Sequence, residues 1–163
     1  MLATLTEKHF SRDGWLFEIK LDGERCLGFR RGDHVRLFSR NRKLLNEKYP
    51  ELVRAFEMQK TASFIADGEI VTFDRGTTSF AKLQQRMQVQ HPSEELRRQV
   101  PVLFYAFDLL YLDTYDIRQV ACTTAKIFSA KRWSSKTRCG LLGTAQKRAR
   151  RTTGRPASKL GRE

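Results

Sequence analysis

Acidic residues are missing from the C-terminal stretch of the chain: between Asp116 and Glu163 there is no Asp or Glu. No carboxylate ligand for a hard metal ion can therefore come from that segment. Cysteine is scarce as well. Cys26, Cys122 and Cys139 are an odd count without C-x-x-C spacing, which argues against a disulfide framework or a zinc site and fits a reducing, intracellular setting. No run approaches the ~18 apolar residues of a membrane span. Met1 to Lys8 also lacks the basic region and apolar core of a secretory signal, so neither secretion nor membrane insertion is expected.

What is present is one domain's worth of chain, 163 residues with 40% apolar and 30% charged. The net charge of +13 by itself suggests a nucleic-acid partner, since Lys and Arg neutralise phosphates and release counterions. Its distribution qualifies that reading. Residues 121–163 hold 12 Lys and Arg against the single acid Glu163, whereas residues 1–120 hold 19 basic and 17 acidic residues. A folded, nearly balanced part over 1–120 is expected, followed by a basic tail over 121–163 whose composition reads as disorder.

Within the first part, Trp15 to Phe29 reads as a strand broken by a turn at Asp22-Gly23, pairing across Arg31-Gly32-Asp33 with a strand from Val35 to Ser39. Pro50 with Leu52, Val53 and Phe56 predicts a helix, and Ser79 predicts the cap of a second helix turning Phe80, Leu83 and Met87 inward. Phe64 to Phe73 and Val102 to Leu112 are apolar enough for central strands. The expected fold class is α+β.

The segment Phe17-Glu18-Ile19-Lys20-Leu21-Asp22-Gly23 carries the chemistry. A strand period would place Phe17, Ile19 and Leu21 on one face and Glu18, Lys20 and Asp22 on the other. Gly23 permits close backbone approach, and Arg25 can hold a carboxylate or phosphate by two hydrogen bonds. The plain alternative is an edge strand with a solvated charged face.

Lys20-Leu21-Asp22-Gly23-Glu24-Arg25 is a K-x-D-G-x-R sequence, which by chance arises about once in several hundred chains of this length. It is joined by Phe38-Ser39-Arg40-Asn41, by Ile65-Ala66-Asp67-Gly68-Glu69-Ile70-Val71 and by Tyr105-Ala106-Phe107-Asp108-Leu109-Leu110-Tyr111-Leu112-Asp113. With these four elements in order, residues 2–120 resemble the ATP-dependent DNA ligases. Ser79-Phe80-Ala81-Lys82-Leu83-Gln84-Gln85-Arg86-Met87 looks like the bacterial end-joining repair type. The resemblance implies a partial nucleotidyltransferase (adenylation) fold of antiparallel sheets with flanking helices, ATP and Mg²⁺ as cofactors, nicked double-stranded DNA as partner, and a bacterial, nucleoid-associated cytoplasmic location.

It also implies roles. Lys20 would be the nucleophile that attacks the α-phosphate of ATP to form lysyl-AMP, with AMP then passed to a DNA 5′-phosphate. An ordinary lysine, near 10.4, is neutral about once in a few thousand molecules at pH 7, so the chemistry asks for cations such as Mg²⁺ or Arg25 nearby. Glu18 resembles the acceptor for the adenine amino group. Arg25 and Arg40 match positions contacting ribose or phosphate, Glu69 the carboxylate for ribose or a metal ion, and Phe107 the aromatic that stacks on adenine. Asp67 shares the strand face of Glu69.

The family pattern runs through Asp116-Ile117-Arg118-Gln119-Val120 and then stops. The later E-G-x-x-x-K and K-x-K type elements and the OB-fold domain do not follow, so truncation by a shifted reading frame and impaired catalysis are expected. Two alternatives are a basic DNA-binding fragment without catalysis and a nucleotidyltransferase of the RNA ligase or capping kind.

Overall fold

The structure, a computed structural model, describes residues 19–119 and the backbone of 139–141. Its centre is a six-stranded sheet. A two-residue loop with Gly32 at a φ of +59° joins β1 (Glu24–Arg31) to β2 (His34–Ser39) as an antiparallel hairpin, Arg31 facing His34. Helix α1 (Pro50–Glu57) follows, then β3 (Ser63–Val71). The short strands β4 (Phe73–Asp74) and β5 (Thr77–Thr78) form a separate pair. Helices α2 (Phe80–Met87) and α3 (Glu94–Gln99) lead to β6 (Leu103–Leu112) and β7 (Tyr115–Asp116). The strand order is β2-β1-β3-β6-β7, and β8 (Cys139–Leu141) pairs with Phe104–Ala106 of β6, in parallel.

Alternation decides which face is covered. Cys26 and Gly28 of β1, Val35 and Leu37 of β2, Phe64, Ala66 and Ile70 of β3, and Phe104, Ala106 and Leu109 of β6 turn to one side, where they meet Leu52, Ala55 and Phe56 of α1. Phe56 sits 5.0 Å from Phe104 and 5.4 Å from Phe64, centroid to centroid. A side chain at Gly28 would run into the Phe56 ring, so the glycine is what lets the helix lie down on the sheet. Pro50 occupies the first turn of α1, where its missing N–H costs nothing. Ser79 caps α2, its hydroxyl accepting from the Lys82 N–H at 3.2 Å.

Two sequence expectations are corrected. The strand read from Trp15 begins at Glu24, residues 19–23 being irregular and Trp15 to Glu18 lying outside the described residues. Ile19, expected to pack, is 71% exposed. Pairing with β3 starts at Glu24, just after Gly23, where any side chain would run into the Ile70 carbonyl and Glu69. Within residues 121–163, whose remainder lies outside the described residues, Cys139–Leu141 forms a strand against β6.

Candidate active site

The sheet face opposite α1 carries the polar chemistry. On it β1 presents Arg25, Leu27 and Phe29, and β3 presents Ile65, Asp67 and Glu69. Register places Arg25 beside Glu69 and Leu27 beside Asp67. Arg25 reaches diagonally: its Nε donates to Asp67 Oδ1 at 3.1 Å and its Nη2 to Oδ2 at 2.6 Å, the bidentate fork of a guanidinium on a carboxylate. The same guanidinium carbon lies 5.6 Å from the centroid of the Phe107 ring, a cation–π arrangement.

Phe107 owes its place to a defect in the ladder. Along β6, Asp108 pairs with Asp67 and Ala106 with Gly68, so Phe107 is an extra residue, a β-bulge. A second shift leaves Leu110 between Leu109 and Tyr111. Bulges turn a side chain out of strict alternation and commonly sit beside functional sites. Here the bulge carries the half-buried ring to the Arg25 side.

The carboxyls on this face are crowded. Burial pushes Glu69 above the usual carboxylate range, assisted by Asp67 and Asp22 and opposed by Arg25 and by the Gly23 N–H that donates to it. Burial likewise raises Asp108, with Asp67 across the ladder adding to the effect and the Leu109 N–H, 2.9 Å from Oδ1, opposing it. Arg25 is held even more firmly in its charged form, first by the hydrogen bond to Asp67.

An open cleft of about 500 Å³ extends from this cluster toward β2, lined by Arg25, Leu27, Phe29, Phe38, Arg40, Arg42 and Asp67 among others. Phe29 and Phe38 meet edge to face at 5.6 Å and make an apolar floor. Arg42 has a φ of +60° in a tight loop whose Arg42 and Lys43 N–H groups donate to the Ser39 carbonyl and hydroxyl. That turn sets two guanidinium groups, of Arg40 and Arg42, along the cleft.

Of the residues singled out in the sequence, Arg25, Asp67, Glu69 and Phe107 are brought together, and Arg40 lines the same cleft as Arg25 and Asp67. Lys20 is exposed on the segment leading into β1. Glu18 lies outside the described residues. Sequence reasoning passed over Arg42 and the Phe29–Phe38 floor, although Arg42 directly follows Ser39-Arg40-Asn41. It also passed over Asp108, which lies within one of the motifs it used. Among the described residues, no three His, Cys, Asp or Glu side chains converge as a ready-made metal site. No described helix is long and apolar enough to cross a membrane.

A helix-backed antiparallel sheet with this open face is the fold of DNA ligase adenylation domains. The ligase domain of Mycobacterium tuberculosis LigD aligns with a TM-score of 0.63 at 26% identity, over 82% of this chain and 41% of that one. A mycobacterial DNA ligase D complexed with ATP and MES aligns with a TM-score of 0.61 at 28% identity, over 80% and 40%. Residues 1–128 match the ATP dependent DNA ligase domain, and the chain belongs to that family. DNA ligase C of Mycobacterium tuberculosis is 38% identical over 120 residues, 71% of this chain and 31% of the relative. DNA ligase 2 of Thermofilum pendens is 34% identical over 100 residues, 60% and 17%. The chain thus spans less than half the length of each of these relatives.

Proposed function

We propose that this chain carries the nucleotide-binding and lysine-bearing part of an ATP-dependent DNA ligase, and that Lys20 is its nucleophile. The neutral amine of Lys20 attacks the α-phosphorus of ATP. A P–N bond forms, the P–O bond to the β-phosphate breaks, pyrophosphate leaves and the amine proton passes to solvent. AMP then moves from the lysine to the 5′-phosphate of a DNA nick, and the 3′-hydroxyl displaces it to seal the strand. In the cell this reading points to DNA repair by end joining.

The observation that carries the proposal is the cluster of Arg25, Asp67, Glu69 and Phe107 on one open face, reached directly from Lys20-Leu21-Asp22-Gly23. Arg25, with Nε and Nη2 held by Asp67, has Nη1 left to donate to phosphate or ribose oxygens from a fixed position. Phe107 offers a ring face for adenine, a contact worth roughly 1–3 kcal/mol. Glu18 is assigned the adenine amino group and Arg40 the phosphate side of the cleft. Glu69 suits Mg²⁺, a cation that takes one or two carboxylates and completes its shell with substrate phosphates and water. Such an ion would neutralise charge on the phosphates.

Incubation with ATP labelled at either the α- or the γ-phosphate tests the reaction. The α-label should stay with the protein through denaturation and the γ-label should not. Retention of neither, by folded protein, contradicts the proposal, and preference for GTP would favour a capping-type enzyme instead.

A further inference from the structure

The nucleotide motif is braced from behind by a buried column of side chains that none of the proposed roles uses. Glu24 stands between Gly23 and Arg25. Since Arg25 faces the cleft, alternation turns Glu24 to the helix side, where Tyr49 Oη donates to its Oε2 at 2.7 Å. Tyr49 is wholly buried at the entrance to α1. The guanidinium carbon of Arg86 lies 5.7 Å from its ring centroid. Arg86, from α2, is also wholly buried; it donates to the carbonyls of Lys48 at 3.0 Å and Val100 at 3.2 Å, and pairs with Glu51 at 2.8 Å. Segments distant in sequence are thereby chained, Arg86 of α2 to Tyr49 and Tyr49 to Glu24, the first residue of β1.

Lys20 has no ladder partner of its own, because pairing with β3 begins at Glu24. Between Lys20 and that first paired residue the segment is tied down by the Asp22 N–H on Thr78 Oγ1 at 3.4 Å and the Gly23 N–H on Glu69, so Glu24 is the third hold on it and the one made from the helix side. If the start of β1 twisted or slipped, Arg25 would leave Asp67 and Gly23 would leave Ile70, a one-residue slip exchanging the two faces. We infer that Tyr49 is a positioning residue for the nucleotide site: its hydroxyl, fixed by Arg86, locks Glu24 and so sets where Lys20 and Arg25 stand. This rests on the function proposed above.

Tyr49→Phe removes only the hydroxyl and keeps the ring for Arg86 and the core. In the full chain we expect lysyl-AMP formation at saturating ATP to fall about tenfold, with hydrogen exchange faster over residues 20–25 and unchanged in β3 and β6. Glu24→Ala should behave alike, and Glu24→Gln, which retains an oxygen for the tyrosine to donate to, should recover most of the loss. A wild-type rate in Tyr49→Phe would overturn the inference. So would slowing accompanied by faster exchange throughout the sheet, since that is loss of stability and not of position. If the wild-type chain forms no lysyl-AMP, the proposed function fails. Exchange then decides the inference alone: loosening confined to residues 20–25 upholds the bracing, and none refutes it.

Discussion

Arg25 is half-exposed, so its pair with Asp67 adds at most about 1 kcal/mol to stability. Its value lies in geometry, because a lysine keeps the charge but not the fork. Arg25→Lys should leave the melting temperature within a few degrees of wild type. Lysyl-AMP formation should fall tenfold or more, the expected cost of a hydrogen bond to a charged group at about 1.5–3 kcal/mol. A full rate in this variant would remove Arg25 from the site. Glu69 makes a second prediction at this scale. Its raised value means the folded state binds a proton more tightly than the unfolded chain does. That contribution to stability is fully present below the ordinary glutamate range and is lost as pH rises through the folded value. Glu69→Gln should therefore flatten the decline in melting temperature as pH rises from about 4 toward neutrality, leaving the part that Asp108 contributes with the same sign. An unchanged profile would show that the carboxyl is well solvated.

At the scale of elements, Arg86 holds α2 to the entrance of α1. Glu51, its partly buried partner, makes no hydrogen bond through either carboxylate oxygen among the described residues, so the two are held by charge rather than by aligned donors. Removing Arg86 leaves a largely covered carboxylate without its partner and takes away the bonds to Lys48 and Val100, a loss of about 3–5 kcal/mol. Arg86→Ala should lower the unfolding free energy by that amount in urea, and replacing both residues with Met and Leu should restore much of it. The same element shows where a sequence can be read and where it cannot. Ser79, Phe80, Leu83 and Met87 announced α2 through a cap and a helical period, and Pro50, Leu52 and Phe56 announced α1. Arg86 at 0% exposure was not legible, since an arginine on a short amphipathic helix ordinarily faces water. Helix α3 has no buried residue and hence no apolar period to detect. The bulge at Phe107 depends on the register between two strands 40 residues apart, which no local pattern encodes. The aromatic was legible as a family position; the backbone shift that brings it to Arg25 was not.

At the scale of the sheet, the edge of β6 away from β3 is covered only over short stretches, by β7 and β8, among the described residues. An unpaired edge offers its N–H and C=O groups to other chains. Here Cys139–Leu141 covers Phe104–Ala106, with Gly140 opposite Tyr105. Gly140→Pro removes an N–H and fixes φ, so it should lower the temperature at which purified protein aggregates. An unchanged onset would mean the edge is protected in some other way. The basic excess of residues 121–163 belongs to the scale of the whole chain. Twelve cations against one acid predict an affinity for nicked duplex that falls steeply with added salt and weakens when those residues are deleted. Equal affinity of the deleted form would place DNA contacts on residues 1–120, which hold most of the family match and the arginine-lined cleft.

The proposed role of Lys20 is to carry AMP. It is tested most directly by digesting the full chain after incubation with ATP and Mg²⁺ and locating the adduct by peptide mass spectrometry, with Lys20→Ala in parallel. The account predicts one AMP on the peptide containing Lys20-Leu21-Asp22-Gly23, and none anywhere in the variant. AMP on another lysine, or no adduct from wild-type protein shown to be folded, would contradict it.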